Sequence, residues 1–259
     1  MIDLVTAALA ISSGAVIGLI LGLVGGGGSI LAVPLLVHVV GIRSPHMAIG
    51  TAAIAVGLNA AMGLIGHARH GTVKWRCGLV FAAAGVAGAL TGAELGKAYD
   101  GQKLLLLFGV LMVVVGLSML RKRTTEPRPD IMLDRDTAGR LVPRLAPAGL
   151  GFGLLSGFFS IGGFLIVPGL IWATRMPMAN AVGTSLLAVT AFGLATAGSY
   201  AVSGLVDWPI VGLMMIGGVA GALTGIALGQ KLAGTKRLLE IAFGAMVIAV
   251  GLYVSLKAG

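Results

Sequence analysis

The chain has 259 residues, 57% of them hydrophobic and only 10% charged, with a formal net charge of +9 and a mean hydropathy of +1.02. A soluble globular domain cannot cover that much apolar surface, so the composition excludes ordinary soluble enzymes and binding modules. The basic residues gather in loops beside apolar segments, the pattern of membrane topology, and nucleic acid is excluded as a partner.

Ten apolar segments fill the chain in order: 4–24, 29–42, 47–66, 77–96 and 104–120, then 145–160, 164–174, 178–203, 209–229 and 237–256. Crossing a bilayer core takes roughly 20 predominantly apolar residues, and most of these segments meet that length. The first has no basic stretch before it and no small-residue cleavage site after it, so it is read as retained. Segments 29–42 and 164–174 are too short to span and are predicted to be half-helices, re-entrant or broken, of the kind that line sites. The 43 glycines suit close crossings of lipid-embedded helices. The single cysteine, Cys77, excludes an internal disulfide and a cysteine-rich metal site and reads as a packing residue.

The chain also repeats itself. Gly85 to Gly92 (GVAGALTG) recurs unchanged at Gly218 to Gly225. At the same offset Gly71 to Trp75 aligns with Gly204 to Trp208 and Gly50-Thr51 with Gly183-Thr184, while Pro34 meets Pro168 with one residue of slippage. An ordered series of this kind indicates a duplicated unit. Putting the basic linker (Arg121, Lys122, Arg123, Arg128, Arg135, Arg140, Arg144) on the cytoplasmic side puts fourteen of the 18 Lys and Arg residues there. Loop 71–76 is then inside and loop 204–208 outside, so the repeats are inverted and both termini face out. The expected fold is an all-α polytopic membrane protein of two inverted-topology repeats. Each repeat has a Gly-rich turn, a short re-entrant or broken helix and about three full transmembrane helices. The boundaries are 1-121 for the first repeat, 122-143 for a cytoplasmic linker and 144-259 for the second. Inverted repeats are a recurrent plan of secondary transporters, in which one half rocks against the other around a site near the bilayer midplane.

Two motifs carry candidate chemistry. Gly25 to Gly28, with Ser29, precedes the first short helix, and Ser160-Ile161-Gly162-Gly163 precedes the second. Gly26, Gly27, Gly28 and Ser29 on one side, and Ser160, Gly162 and Gly163 on the other, offer free backbone N–H groups at the start of a helix, an arrangement suited to anions. For glycine alone, a tight turn or a close helix crossing explains such a run equally well. Backbone turns at membrane depth are tolerated only inside protein or along a cavity, and their symmetric placement favours a site at which the two turns meet.

Through the glycine turn, Pro34 and Gly50-Thr51, and their partners Gly162-Gly163, Pro168 and Gly183-Thr184, the sequence resembles the TauE/SafE sulfite exporter family over nearly its whole length. That resemblance implies export of small anions across the bacterial inner membrane, with sulfite, sulfoacetate and related sulfonates as the associated cargo. The second turn departs from the first: it has two glycines and no serine matching Ser29, so the two sides are chemically unequal. Ser29, Thr51, Asn59, Ser160, Thr184 and Ser185 are neutral donors suited to binding sulfonate oxygens and releasing them. The alternative for each hydroxyl is satisfaction by its own helix backbone. Arg43 and Arg175 follow the two short helices and are candidate vestibule charges for anions, or else loop anchors.

His38 and Glu94 are titratable groups at membrane depth and candidates for proton coupling. Lys97, three residues after Glu94, offers structural pairing as the other reading of that carboxylate. Trp75 and Trp208 suit the headgroup level. No phosphate-loop signature is present, no cofactor or metal is expected, and no nucleophile–base pair points to an enzyme. The expected function is a secondary transporter exporting sulfite or an organosulfonate such as sulfoacetate. Carriage or channelling of another small anion, or import, remains open. The expected partners are the sulfur oxyanion, membrane lipid and, compatibly, further copies in a homo-oligomer.

Overall fold

A computed structural model describes residues 3–24, 27–120, 135–160, 163–231 and 236–258. The described residues form helices joined by short loops, with no strand. Helix α1 (Leu4–Val24) is followed by a short composite segment: a 3-10 turn (Gly27–Leu31), a single α turn, α2 (Ala32–Leu35), and a wider π turn (Leu36–Val40). Then come α3 (Pro45–Arg69), α4 (Trp75–Ala98), α5 (Gly101–Leu120), α6 (Arg135–Phe159), the short α7 (Gly163–Thr174), α8 (Met178–Val202), α9 (Trp208–Lys231) and α10 (Lys236–Ala258). Among the described residues, α1, α3, α4, α5, α6, α8 and α9 are long and apolar enough to cross a membrane. The first half therefore holds four such helices where about three were expected, because α1 and α5 both qualify alongside the central pair. Residues 121–134 of the linker lie outside the described residues, and α6 starts at Arg135 within it.

Local chemistry sets the helix ends. Ser44 accepts a hydrogen bond from the Met47 N–H at 3.4 Å and Pro45 opens α3, the usual N-cap and first-turn residues. Asp100 receives the N–H groups of Gln102 and Lys103 at 3.1 and 3.0 Å, and Asp207 that of Ile210 at 3.2 Å, capping α5 and α9 with negative charge. The first short segment ends at Gly41, whose φ of 86° only glycine adopts freely. The second ends at Arg175 with a φ of 60°, so the same left-handed stop is held there by a residue that resists it.

The two halves pack crosswise. α1 lies against α9 and α4 against α6. Ile11, Ala15 and Leu19 meet Gly217, Gly221 and Gly225 in turn, so α1 and α9 run parallel. Gly88 and Gly92 meet Leu150 and Leu154 in the matching α4–α6 seam, while Gly153 and Gly157 meet Gly85 and Ala89. The repeated octapeptide is therefore the crossing surface of each half on the other: a methyl group at Gly88, Gly92, Gly221 or Gly225 would run into a neighbouring backbone. α3 packs antiparallel on α8, with Gly50, Gly57 and Gly63 against Tyr200, Gly193 and Leu186. α5 packs antiparallel on α10 through Gly109 on Gly251 and Gly116 on Gly244. An aromatic stack, Phe152–Phe81–Phe192 with centroids 6.3 and 5.9 Å apart, fills the α4–α6–α8 centre.

Candidate functional site

The short segments occupy the interior. Ser29, Ile30, Ala32, Val33 and Leu36 are fully buried, as are Ile166 and Leu170 of α7. Segment Gly27–Leu31 packs against α7, so the two short helices touch. Gly28 presses on α1 at Ile17 and Leu21, where a Cβ would overlap the Ile17 carbonyl. This tucks the start of the segment beneath the end of α1 and accounts for a glycine there. Gly26 and Gly162 lie outside the described residues, and Gly163 opens α7. Pro34 and Pro168 each sit inside a short helix and remove a backbone donor, and a π turn follows Pro34.

Ser160, at the end of α6, has a φ of 57°, is buried, and its hydroxyl has no hydrogen-bond partner among the described residues. A buried hydroxyl in a left-handed backbone is doubly unfavourable, and such sites cluster where a ligand or water completes the structure.

Thr51 and Thr184 are buried too, but each is engaged across the halves. The Thr51 hydroxyl oxygen accepts from the Asp207 N–H at 3.0 Å, and that of Thr184 accepts from the Lys74 N–H at 2.9 Å. Beside them, Gly50 receives the Leu205 carbonyl and Gly183 receives Thr72. The Gly-Thr pairs thus hold the loops that precede α9 and α4, and those loops turn on left-handed Gly204 (φ 69°) and Gly71 (φ 66°). Asn180 adds a bond to the Thr72 carbonyl at 2.9 Å. Ser185 donates to its own helix at Val182, at 2.8 Å.

Asn59 projects from α3 onto Gly218 of α9, half-buried, with its amide against the glycine's open face. At the corresponding place in the other half, Phe192 of α8 fills the open face of Gly85 of α4.

Arg43 and Arg175 are both exposed. Glu94 pairs with Lys97 at 2.8 Å and accepts from the Ser199 hydroxyl at 2.8 Å. His38 packs edge-on to Tyr253 at 5.3 Å, its Nε2 without a described partner. Among the described residues no three His, Cys, Asp or Glu side chains come together. Among the described residues the side chains placed here are mostly hydroxyls and one amide, set beside helix ends and left-handed backbone turns.

Sequence reasoning passed over Thr196 and Tyr200 of α8, both fully buried with hydroxyls that have no hydrogen-bond partner among the described residues. Their spacing of four in an apolar helix was the available signal.

The profile described as "Sulfite exporter TauE/SafE" matches residues 10–254. The chain belongs to the TauE/SafE family. It is a membrane transporter by that membership. A "Probable membrane transporter protein" of Xylella fastidiosa (strain Temecula1) is 51% identical over 94% of this chain and 93% of its own length. The probable membrane transporter protein YunE of Bacillus subtilis is 27% identical over 92% of this chain and 97% of its own. A probable membrane transporter protein of Methanocaldococcus jannaschii is 24% identical over 96% and 95%. No solved structure matches the chain.

Proposed function

We propose that this TauE/SafE transporter is a secondary carrier that exports a small sulfur oxyanion, sulfite or an organosulfonate such as sulfoacetate, across the bacterial inner membrane by alternating access. The observation that carries this reading is the pair of short helices, each preceded in sequence by a glycine-rich stretch and packed against the other in the interior, in a chain of a sulfite exporter family. Non-spanning helices buried between two halves are where broken-helix transporters bind ions and substrates.

In this reading 1-121 and 144-259 are inverted repeats joined by a cytoplasmic linker, 122-143, with both termini outside. The antiparallel packing of α3 on its counterpart α8, and of α5 on α10, supports the inversion, since counterparts of opposite topology must run oppositely. The crosswise bonds of Thr51 and Thr184 give each half a grip on a loop of the other, as a rocking pair requires. The substrate-binding set is Gly26, Gly27, Gly28, Ser29, Asn59, Ser160, Gly162 and Gly163, with Thr51, Thr184 and Ser185 holding the surrounding backbone. Arg43 and Arg175, exposed after the two short helices, draw anions to the entrances.

The test is uptake of radiolabelled sulfite, sulfoacetate and taurine into proteoliposomes, with and without a pH gradient. Saturable uptake of one sulfur anion over the others supports the reading. Absence of uptake in vesicles shown to hold folded protein removes the sulfur cargo.

A further inference from the structure

Threonines in membrane helices ordinarily donate their hydroxyl to the carbonyl one turn back. Thr91 does so to Ala87 at 2.9 Å, Thr174 to Leu170 at 2.7 Å, Thr190 to Leu186 at 2.7 Å and Thr224 to Ala220 at 3.1 Å. Thr196 does not: its hydroxyl is wholly buried and has no partner among the described residues. One turn further along α8, the Tyr200 hydroxyl is in the same condition, although buried tyrosines normally find an acceptor. Two adjacent orphaned hydroxyls on one helix face are the mark of a polar partner that protein atoms do not supply.

The face they share runs along the α4–α6 seam. Phe192, one turn before Thr196, fills the notch of Gly85. At the other end the base of the Tyr200 ring rests on Gly50 of α3. Its hydroxyl reaches Gly96 of α4 beside the Phe158 carbonyl, each 3.1 and 3.0 Å from where a Gly96 methyl would stand. Lys97 lies over the Tyr200 ring, its ammonium 5.9 Å from the centroid. That ammonium is held by Glu94 at 2.8 Å, the Ser203 hydroxyl at 2.9 Å and the Ser199 carbonyl at 3.3 Å. From the end of α4 inward, the Lys97–Glu94 pair, the Tyr200 phenol, the Thr196 hydroxyl and the Phe192 ring thus follow one another along α8.

We propose that Thr196 and Tyr200 are substrate-binding residues: their hydroxyls donate to the oxygens of the transported oxyanion, which Lys97 attracts to the entrance beside Tyr200. The inference rests on the anion-transport reading and adds two donors to the binding set given there. An anion accepts hydrogen bonds that a neutral hydroxyl can give and surrender, and hydroxyls without a protein acceptor have their protons free for it. The ladder exists in one half only. The corresponding positions of the first half are Gly63 and His67, and His67 is already bonded to Thr72 at 2.9 Å.

The experiment compares wild type, Tyr200→Phe, Thr196→Val and, as a control that removes only a self-satisfied hydroxyl, Thr190→Val. Proteoliposome uptake gives KM and kcat for sulfite and sulfoacetate. Thermal unfolding of the purified protein, with and without millimolar sulfite or sulfoacetate, gives the anion-induced shift in Tm. The expected result is a rise in KM of about tenfold or more and loss of the Tm shift in both site variants, with Tm in the absence of anion unchanged or raised. Thr190→Val should keep the wild-type KM and shift. If Tyr200→Phe and Thr196→Val keep both, the hydroxyls hold water or nothing, and the assignment is overturned while the transport reading stands. If wild type itself shows neither uptake nor a shift, the transport reading fails and takes the assignment with it.

Discussion

Asn59 on Gly218 and Phe192 on Gly85 occupy the same place in the two halves, yet one is an amide and the other an aromatic ring. The glycines beneath them are identical, and so are the threonines that grip the opposite loops. The duplicated residues are thus those that set backbone approach, while the side chains projecting into the junction have diverged. The glycine framework is thus shared by the two halves, whereas the side chains laid on it differ in polarity from one half to the other.

The scaffold half of that comparison breaks most severely. Gly88→Val and its counterpart Gly221→Val drive a branched side chain into the backbones of α6 and α1. Each should cost about 3 kcal/mol or more and sharply reduce folded, monodisperse protein on size-exclusion chromatography, to a similar degree in both halves. A large difference between the two would mean that the seams are not equivalent. The lining comes next, and there the halves should differ. Phe192→Asn removes a ring from the Phe81 stack and buries an unpaired amide, for a loss of about 3 kcal/mol in thermal unfolding. Asn59→Leu should leave stability within about 1 kcal/mol, because the half-buried side chain is replaced by one of similar size, while lowering anion uptake about tenfold. Thr51→Val and Thr184→Val should act on stability and act alike in the two halves. Each strands one backbone N–H and should cost about 1–2 kcal/mol by the same measurement, nearly equally in the two halves.

Much of this was legible in the residues. Unbroken apolar runs marked the helices, and the shortness of 29–42 and 164–174 marked the two interior segments, now seen at Gly27–Val40 and Gly163–Thr174. The spacing of Glu94 and Lys97 announced their pairing, present at 2.8 Å. The crosswise partners were not legible. The octapeptide signals a close crossing, but nothing in it says that the helix it receives belongs to the other half. Gly-Thr and the Gly71 and Gly204 loops were each recognised as repeated, yet their union, Thr51 with one loop and Thr184 with the other, exists only in three dimensions. Thr196 and Tyr200 escaped notice because a threonine in an apolar helix usually satisfies itself, and only the fold reveals that this one does not.

The most direct test of the central claim is counterflow: labelled sulfite uptake into proteoliposomes preloaded with unlabelled sulfite, compared with empty vesicles. An alternating-access carrier of sulfur oxyanions predicts faster, transient accumulation of label in the preloaded vesicles, weakened by Asn59→Leu. Equal uptake in both, or none in either, would contradict it.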